Sequence, residues 1–298
     1  MHIHSKTGRK MKVLATAIQK GGQGKTKIAL HLGFWGLELG LKVLFVDLDP
    51  QNAEVDLESD TLVDTSDGNV IGNLSGTLRD LAQINGCPLP ADGAVASGLF
   101  DAKDDRKPVY FQENGAFIQV DSKLAYLQFN AKTFPEKMAI VRKKFEQLAE
   151  HFDVCIIDTG PGNLYPLVVA LGLSDHVIAP CEMDNNAIAG LGSLTANVLK
   201  VRKASGMSFE LAPLGILPNM IQKDRARHIR SLNDLRNKSA WKNHVLPVEL
   251  YYRAAIDESE TRPVWRTVRG ESKSAAAEEM VLACMYIYKL VGLERKEQ

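Results

Sequence analysis

Cysteine is scarce in this chain: four in 298 residues, at 87, 155, 181 and 284, with no C-x-x-C pair. That spacing argues against a disulfide framework and against a metal knuckle, and reads as reduced thiols. No run of about 18 apolar residues occurs and no apolar stretch opens the chain, so membrane spanning and secretion are both disfavoured. Residues 1–10 are polar and basic; they read as a loose tail too short to form a helix-turn-helix domain. There is no net charge, with 36 Lys and Arg against 36 Asp and Glu, so only the distribution of charge can point to a partner. The seven histidines do not gather at metal-ligand spacing, and His31 reads as a packing or surface residue. Internal repeats and a Pro/Ser-rich linker are both missing, which leaves one domain over residues 11–298.

What is present is ordinary globular composition, 45% hydrophobic and 24% charged, enough for one substantial α/β core. The charge is uneven. Between Gln51 and Asp105 stand eleven acidic residues and two basic ones, whereas Ala196 to Lys273 holds fifteen basic residues against eight acidic.

The most informative stretch is Lys20-Gly21-Gly22-Gln23-Gly24-Lys25-Thr26. Its glycines allow consecutive backbone N–H groups to turn inward around phosphates. An apolar run, Lys12 to Ile18, precedes it, and apolar residues at helical spacing, Ile28 to Leu39, follow it. Strand, glycine loop and helix is the context that a phosphate cradle requires. The loop departs from G-x-x-x-x-G-K-[ST], because Gln19 occupies the first glycine position and Lys20 adds a second lysine.

Further along, Lys42 to Asp47 is a continuous apolar run of buried parallel-strand type that delivers Asp47, Asp49, Pro50 and Gln51 to its carboxyl end. Residues 54–106 read as an acidic, irregular insertion folding over the sheet edge, with one short helical signal at Leu78 to Ile84. Strands are expected at Val109–Phe111, Phe117–Val120 and Leu124–Phe129, then an amphipathic helix carrying Phe134, Met138, Val141, Phe145 and Leu148. Val154 to Asp158 is another apolar strand, ending in an acid before Gly160-Pro161-Gly162, a pattern that supplies a carboxylate to the Mg²⁺ shell of nucleotide hydrolases. Strand Val177–Pro180, a helix over 187–203, strand Leu214–Pro218 ending at Asn219, the segment Val245–Val248 and a last helix from about 274 to 291 complete the pattern. Lys223, Arg227 and Arg230 fall at helical steps of four and three, with Arg225 between them, and Arg253, Arg266 and Arg269 extend the basic region. Alternating strands and helices specify a single doubly wound, mostly parallel α/β sheet flanked by helices.

Taken together, Lys20 to Thr26, Asp47-Leu48-Asp49-Pro50-Gln51 and Asp158-Thr159-Gly160-Pro161 resemble the deviant Walker A, Walker A′ and Walker B motifs of the ParA/MinD ATPases. The D-x-D-P-Q form is most like the ParA plasmid and chromosome partition proteins. The resemblance implies a P-loop fold, with ATP and Mg²⁺ as cofactors. It implies that Gly21, Gly22, Gln23, Gly24 and Lys25 cradle the phosphates, that Thr26 ligates Mg²⁺, and that Asp47 and Asp158 organise the Mg²⁺ shell. Asp49 would orient the attacking water, Asn219 would read adenine, and Lys20 would reach across an ATP-dependent homodimer to the partner's phosphates. Relatives place a Thr or Ser where Lys27 stands; a lysine can pair with phosphate but accepts no hydrogen bond, which leaves its contact with the α-phosphate open.

The same resemblance implies slow ATP hydrolysis, non-specific binding to double-stranded DNA, a cytoplasmic, nucleoid-associated location and an adaptor or centromere-binding protein that stimulates turnover. For DNA the candidate contacts are Lys223, Arg225, Arg227 and Arg230, with Arg253, Arg266 and Arg269 behind them. The acidic insertion is a candidate dock for a basic peptide of the adaptor. Membrane-bound relatives end in a basic amphipathic helix, whereas the last helix here carries Glu278, Glu279 and only Lys289, so no membrane partner is expected. Cargo positioning for conjugation, chemoreceptors or microcompartments shares every motif. Small-molecule synthetases with a P-loop usually lack the lysine at position 20.

Overall fold

The computed structural model describes residues 11–50, 73–128, 130–161, 164–205, 214–267 and 271–293. The expected N-terminal tail, Gln51 with most of the acidic stretch to residue 72, and Arg269 lie outside them. Seven strands form one sheet: β1 (Lys12–Thr16), β2 (Val43–Leu48), β3 (Val109–Gln112), β4 (Gly115–Ile118), β5 (Val154–Thr159), β6 (His176–Glu182) and β7 (Leu214–Asn219). Their spatial order is β3-β4-β2-β5-β1-β6-β7. Every pairing is parallel except β3 with β4, a hairpin at one edge. The doubly wound, mostly parallel sheet expected from the alternation of elements is therefore present.

The pleat divides the core in two. Val13, Ala15, Leu44, Val46, Cys155 and Ile157 face one layer, with Phe134, Met138, Val141 and Phe145 of α4 (Phe134–Leu148) and Val168 of α5 (Leu164–Leu173). The alternate residues Leu14, Val43, Phe45, Val154 and Ile156 face the other layer, with α1 (Lys25–Glu38) and α10 (Glu271–Leu290). Because side chains alternate along a strand, both faces of a continuous apolar run are used, which is why these strands show no polar alternation. Tyr288 of α10 is buried and its hydroxyl donates to the Leu32 carbonyl at 2.8 Å, fastening α10 to α1.

Two expectations change. The stretch from residue 73 onward is not an irregular cover: α2 (Leu74–Ile84) is an eleven-residue helix whose Leu74, Leu78 and Ala82 are buried in the α1 layer. Its N-cap is Asn73, whose side chain accepts from Gly76 N. Residues 122–125 form a single helical turn, α3 (Ser122–Ala125), in place of the strand expected over 124–129. β4 already pairs on both sides, with β2 and β3, so no free edge exists there to receive another strand. At 245–248 only one bridge forms, Ile216 with Val245, since Pro247 cannot donate to a ladder. The remaining helices are α6 (Asn185–Ser205), α7 (Ala226–Asn237), α8 (Ala254–Asp257) and α9 (Val264–Thr267). No helix of the described residues is long and apolar enough to cross a membrane.

Candidate functional site

Parallel pairing brings the carboxyl ends of β1, β2, β5, β6 and β7 to one edge, where ligands of open α/β sheets collect. The glycine loop runs from the end of β1 into α1. Gly24 is the N-cap of α1 with φ 79°, a left-handed conformation that glycine adopts without strain. A Cβ at Gly24 would also lie 2.8 Å from the Asn219 side-chain nitrogen. Asn219 in turn donates to the Gln23 carbonyl at 2.9 Å, and the Gln23 side chain accepts from Glu182 N at 2.8 Å. The loop is thus held by β6 and β7 before any ligand arrives. The N-terminus of α1 points its first N–H groups into the loop, an arrangement that attracts anions.

Lys25 is almost wholly buried beside this cradle. Burial lowers its pKa, and the charges of Asp158 and Asp49 oppose that shift. Asp158 sits at the level of Thr16 on β1 and of Asp47 on β2. Its carboxylate accepts from Thr26 Oγ1 at 2.6 Å and from Thr16 Oγ1 at 2.8 Å. Burial pushes the Asp158 carboxyl up to about 6, against the pull of the two threonine bonds. Burial and the neighbouring Asp158 charge push Asp47 up to about 7. Two buried carboxyls and a hydroxyl, with no sulfur among them, make a hard, oxygen-only donor set of the kind that suits Mg²⁺, which would also favour the ionised form of both acids.

Asp47 has a further role that the sequence did not reveal. One oxygen accepts from Asp49 N at 3.0 Å, and the other accepts from Ser75 N at 3.0 Å and Ser75 Oγ at 2.7 Å. Asp47 therefore ties the first turn of α2 to the backbone of Asp49. Asn73, three residues before the glycine it caps, was the available signal for that helix start.

The raised carboxyls have a measurable consequence. Between about pH 4, where an unfolded aspartate ionises, and about pH 7 for Asp47, the folded chain holds a proton that the unfolded chain releases. The stability these groups contribute is thus present at low pH and lost as pH rises through that window. In urea titrations of nucleotide-free protein, wild type is expected to lose stability from pH 4.5 to 7 more steeply than Asp47→Asn. Parallel profiles would show that Asp47 ionises normally.

Lys20, the additional lysine, points to β6 and the start of α6: its Nζ lies 2.6 Å from Asp184 and 3.5 Å from Glu182. The hydrogen bond to Asp184 raises the Lys20 pKa. Asp184 also accepts from Ala187 N at 2.6 Å, so it caps α6 while holding the lysine. Neither acid was identified from the sequence. Lys27 does not face the loop; its Nζ donates to the carbonyls of Asp257 at 3.0 Å and Ser259 at 2.9 Å. His31, one turn on, is a buried packing residue kept neutral, with burial holding its pKa down at about 4.

The basic candidates separate. Lys223, Arg225, Arg227 and Arg230 are exposed, with Lys223 preceding α7, Arg225 at its N-cap and Arg227 and Arg230 on it. Lys223 Nζ stands 4.3 Å from the centre of the Tyr251 ring. Arg253 is ion-paired with Glu279 at 2.6 Å and Arg266 with Glu38 at 2.5 Å.

Residues 11–211 match the family described as "AAA domain". Protein IncC of Escherichia coli is 32% identical over 279 residues, taking in 92% of this chain and 68% of that protein. Among solved structures, a Cyanothece McdA–ATP complex is similar with a TM-score of 0.70 at 18% identity, covering 98% of this chain and 100% of the other. A plasmid partition protein of Borrelia burgdorferi bound to AMPPNP, described as putative, gives 0.65 at 19%, covering 95% and 100%. These two likenesses speak to the fold; the family match and the IncC identity speak to descent. With the deviant loop and both acid motifs converging on one sheet edge, the chain belongs to the ParA/MinD family of nucleotide-binding ATPases.

Proposed function

We propose that the chain is a ParA-type ATPase that dimerises on binding ATP, binds double-stranded DNA without sequence preference and hydrolyses ATP slowly to segregate or position a cargo. The observation that carries the reading is the convergence of Lys25, Thr26, Asp158, Asp47 and Asp49 at the carboxyl ends of β1, β2 and β5, with Lys20 at their margin. Gly21 to Thr26 bind the phosphates, Asn219 reads the base, and Asp49 orients water. Thr26 and Asp158 would hold Mg²⁺ with Asp47 behind them; bound there, it neutralises charge developing on the phosphates. Such a reaction needs positioning and charge neutralisation more than covalent chemistry.

Support for DNA binding comes from the exposed cluster at 223–230, since none of the ion pairs found among the described residues uses it. Arg253 and Arg266 already have carboxylate partners, so their affinity for phosphate is reduced. The adaptor that stimulates turnover is a protein with a basic segment, attracted to the acidic stretch before β3. Of the similar proteins named above, the Borrelia one is described as a plasmid partition protein.

Retention on arbitrary duplex DNA is the test. Binding is expected with ATP and lost with ADP. Charge reversal of Arg227 and Arg230 is expected to reduce the salt slope of log K by about 2, because each phosphate contact contributes about 0.9. An unchanged slope places DNA elsewhere, and ATP-dependent binding to anionic liposomes in place of DNA would move the protein to the membrane-associated branch.

A further inference from the structure

The resemblance to the ParA/MinD ATPases implies a phosphate-contacting hydroxyl at the position of Lys27, yet the ammonium of this lysine lies on the carbonyls of Asp257 and Ser259. A cleft opens between the glycine loop and α8, lined by Gly24, Lys27, Ile28, Asn219, Met220 and Ile256 among others. One wall is the end of β7, fastened to the loop by the bond from Asn219 to the Gln23 carbonyl. The opposite wall is α8, a helix of only four residues whose N-cap Arg253 is tied to Glu279 of α10 and whose Ala255 is buried. Its terminal carbonyl, Asp257 O, and the nearby Ser259 O are the two groups that Lys27 Nζ grips. Carbonyls at a helix end carry partial negative charge and lack helical donors, so an ammonium there is favourable.

The direction of the lysine follows from its place on α1. Successive residues on α1 turn by about 100°, so with Thr26 bonded to Asp158 on the sheet side, Lys27 is turned toward α8. One turn further, His31 Nε2 accepts from Val264 N at 3.1 Å, and its Nδ1 donates to the Lys27 carbonyl at 2.7 Å. Lys27 and His31 together dock the 254–264 segment along the helix that the glycine loop opens.

We propose that Lys27 is a positioning residue for the nucleoside end of the site: its side chain fastens α8 to the loop helix, sets the wall against which the base packs, and makes no α-phosphate contact. The inference rests on the reading of the glycine loop as a triphosphate site. A nucleotide held this way is recognised more through its base and less through its α-phosphate. Discrimination between adenine and guanine then depends on a lysine that touches neither.

The test compares binding of ATP, GTP and inorganic tripolyphosphate to wild type, Lys27→Met and Lys27→Arg by calorimetry. In Lys27→Met, ATP is expected to weaken about tenfold, the equivalent of one charged hydrogen bond lost at the wall, while tripolyphosphate is retained and the ATP-to-GTP ratio collapses. Lys27→Arg, which keeps donors for both carbonyls, is expected to restore the ratio. Parallel weakening of all three ligands would mean that Lys27 contacts phosphate, and no change in any of them would mean that the wall is set without it; either result overturns the proposal. Thermal melts identify a misfolded variant, in which case Lys27→Gln, neutral and one bond shorter, carries the same comparison. Wild type that binds tripolyphosphate but shows no preference between ATP and GTP overturns this inference alone, whereas wild type that binds none of the three overturns the triphosphate reading as well.

Discussion

Asp49→Ala is expected to lower ATP turnover by about 100-fold or more, the range for removing a group that positions or deprotonates the nucleophile, while ATP binding stays within a few-fold of wild type. Asp49 is nearly buried at the end of β2 and its backbone is pinned by Asp47. Its carboxylate packs so closely on Gly160 that a Cβ there would lie 2.1 Å from Oδ1. Gly160→Ala therefore cannot be accommodated without moving Asp49, and is expected to lower turnover in the same direction with no change to any ionisable group. Steady-state phosphate release and nucleotide titration measure the two quantities separately. If Asp49→Ala kept more than a tenth of wild-type turnover, the water-positioning role would pass to another group at this edge.

Asp47 braces the backbone that carries Asp49. Both oxygens of Asp47 are engaged, by Asp49 N on one side and Ser75 on the other, and Val120 N donates to Ser75 Oγ behind them at 2.9 Å. This chain of bonds runs from β4 through α2 to the backbone of Asp49, so the segment after residue 73 supports the site as well as the core.

How far the sequence could be read depended on whether local pattern or tertiary contact decided each element. The buried strands and α4 were legible because continuous apolar runs and the 134-138-141-145 stripe are properties of single segments. The glycine loop and the two acid motifs were legible because phosphate chemistry confines them to short spacings. α2 was only half legible: it follows an acidic stretch, and its first turn is anchored by Asp47, 28 residues away in the chain. The partners of Lys20 and Lys27 lie 164 and 230 or more residues downstream, and no local spacing encodes such a pairing. The pairings of Arg253 with Glu279 and of Arg266 with Glu38 were illegible for the same reason, since the basic surplus was visible while the acids were far off in sequence.

The second large effect concerns Lys20. If this lysine completes a site on a facing subunit, Lys20→Ala should lower ATP turnover by about 1,000-fold or more, as loss of a cationic finger does in phosphoryl transfer, and ATP-dependent dimers should vanish from size-exclusion profiles. In the single chain, however, Lys20 is held by Asp184 and Glu182, so reaching outward requires that pairing to open. The lysine side chain is 29% exposed and that of Asp184 17%, and a partly exposed pair is worth only about 1 kcal/mol or less. Opening it thus costs about fivefold in population, a modest restraint that a facing triphosphate can overcome. Asp184→Asn, which still accepts the bond from Ala187 N that starts α6, should accordingly raise turnover or dimer yield by up to about fivefold and never lower it. The two variants move in opposite directions only if Lys20 leaves Asp184 to act. A drop in both would make the Lys20–Asp184 pair itself the working arrangement, and would place the lysine's action within its own subunit.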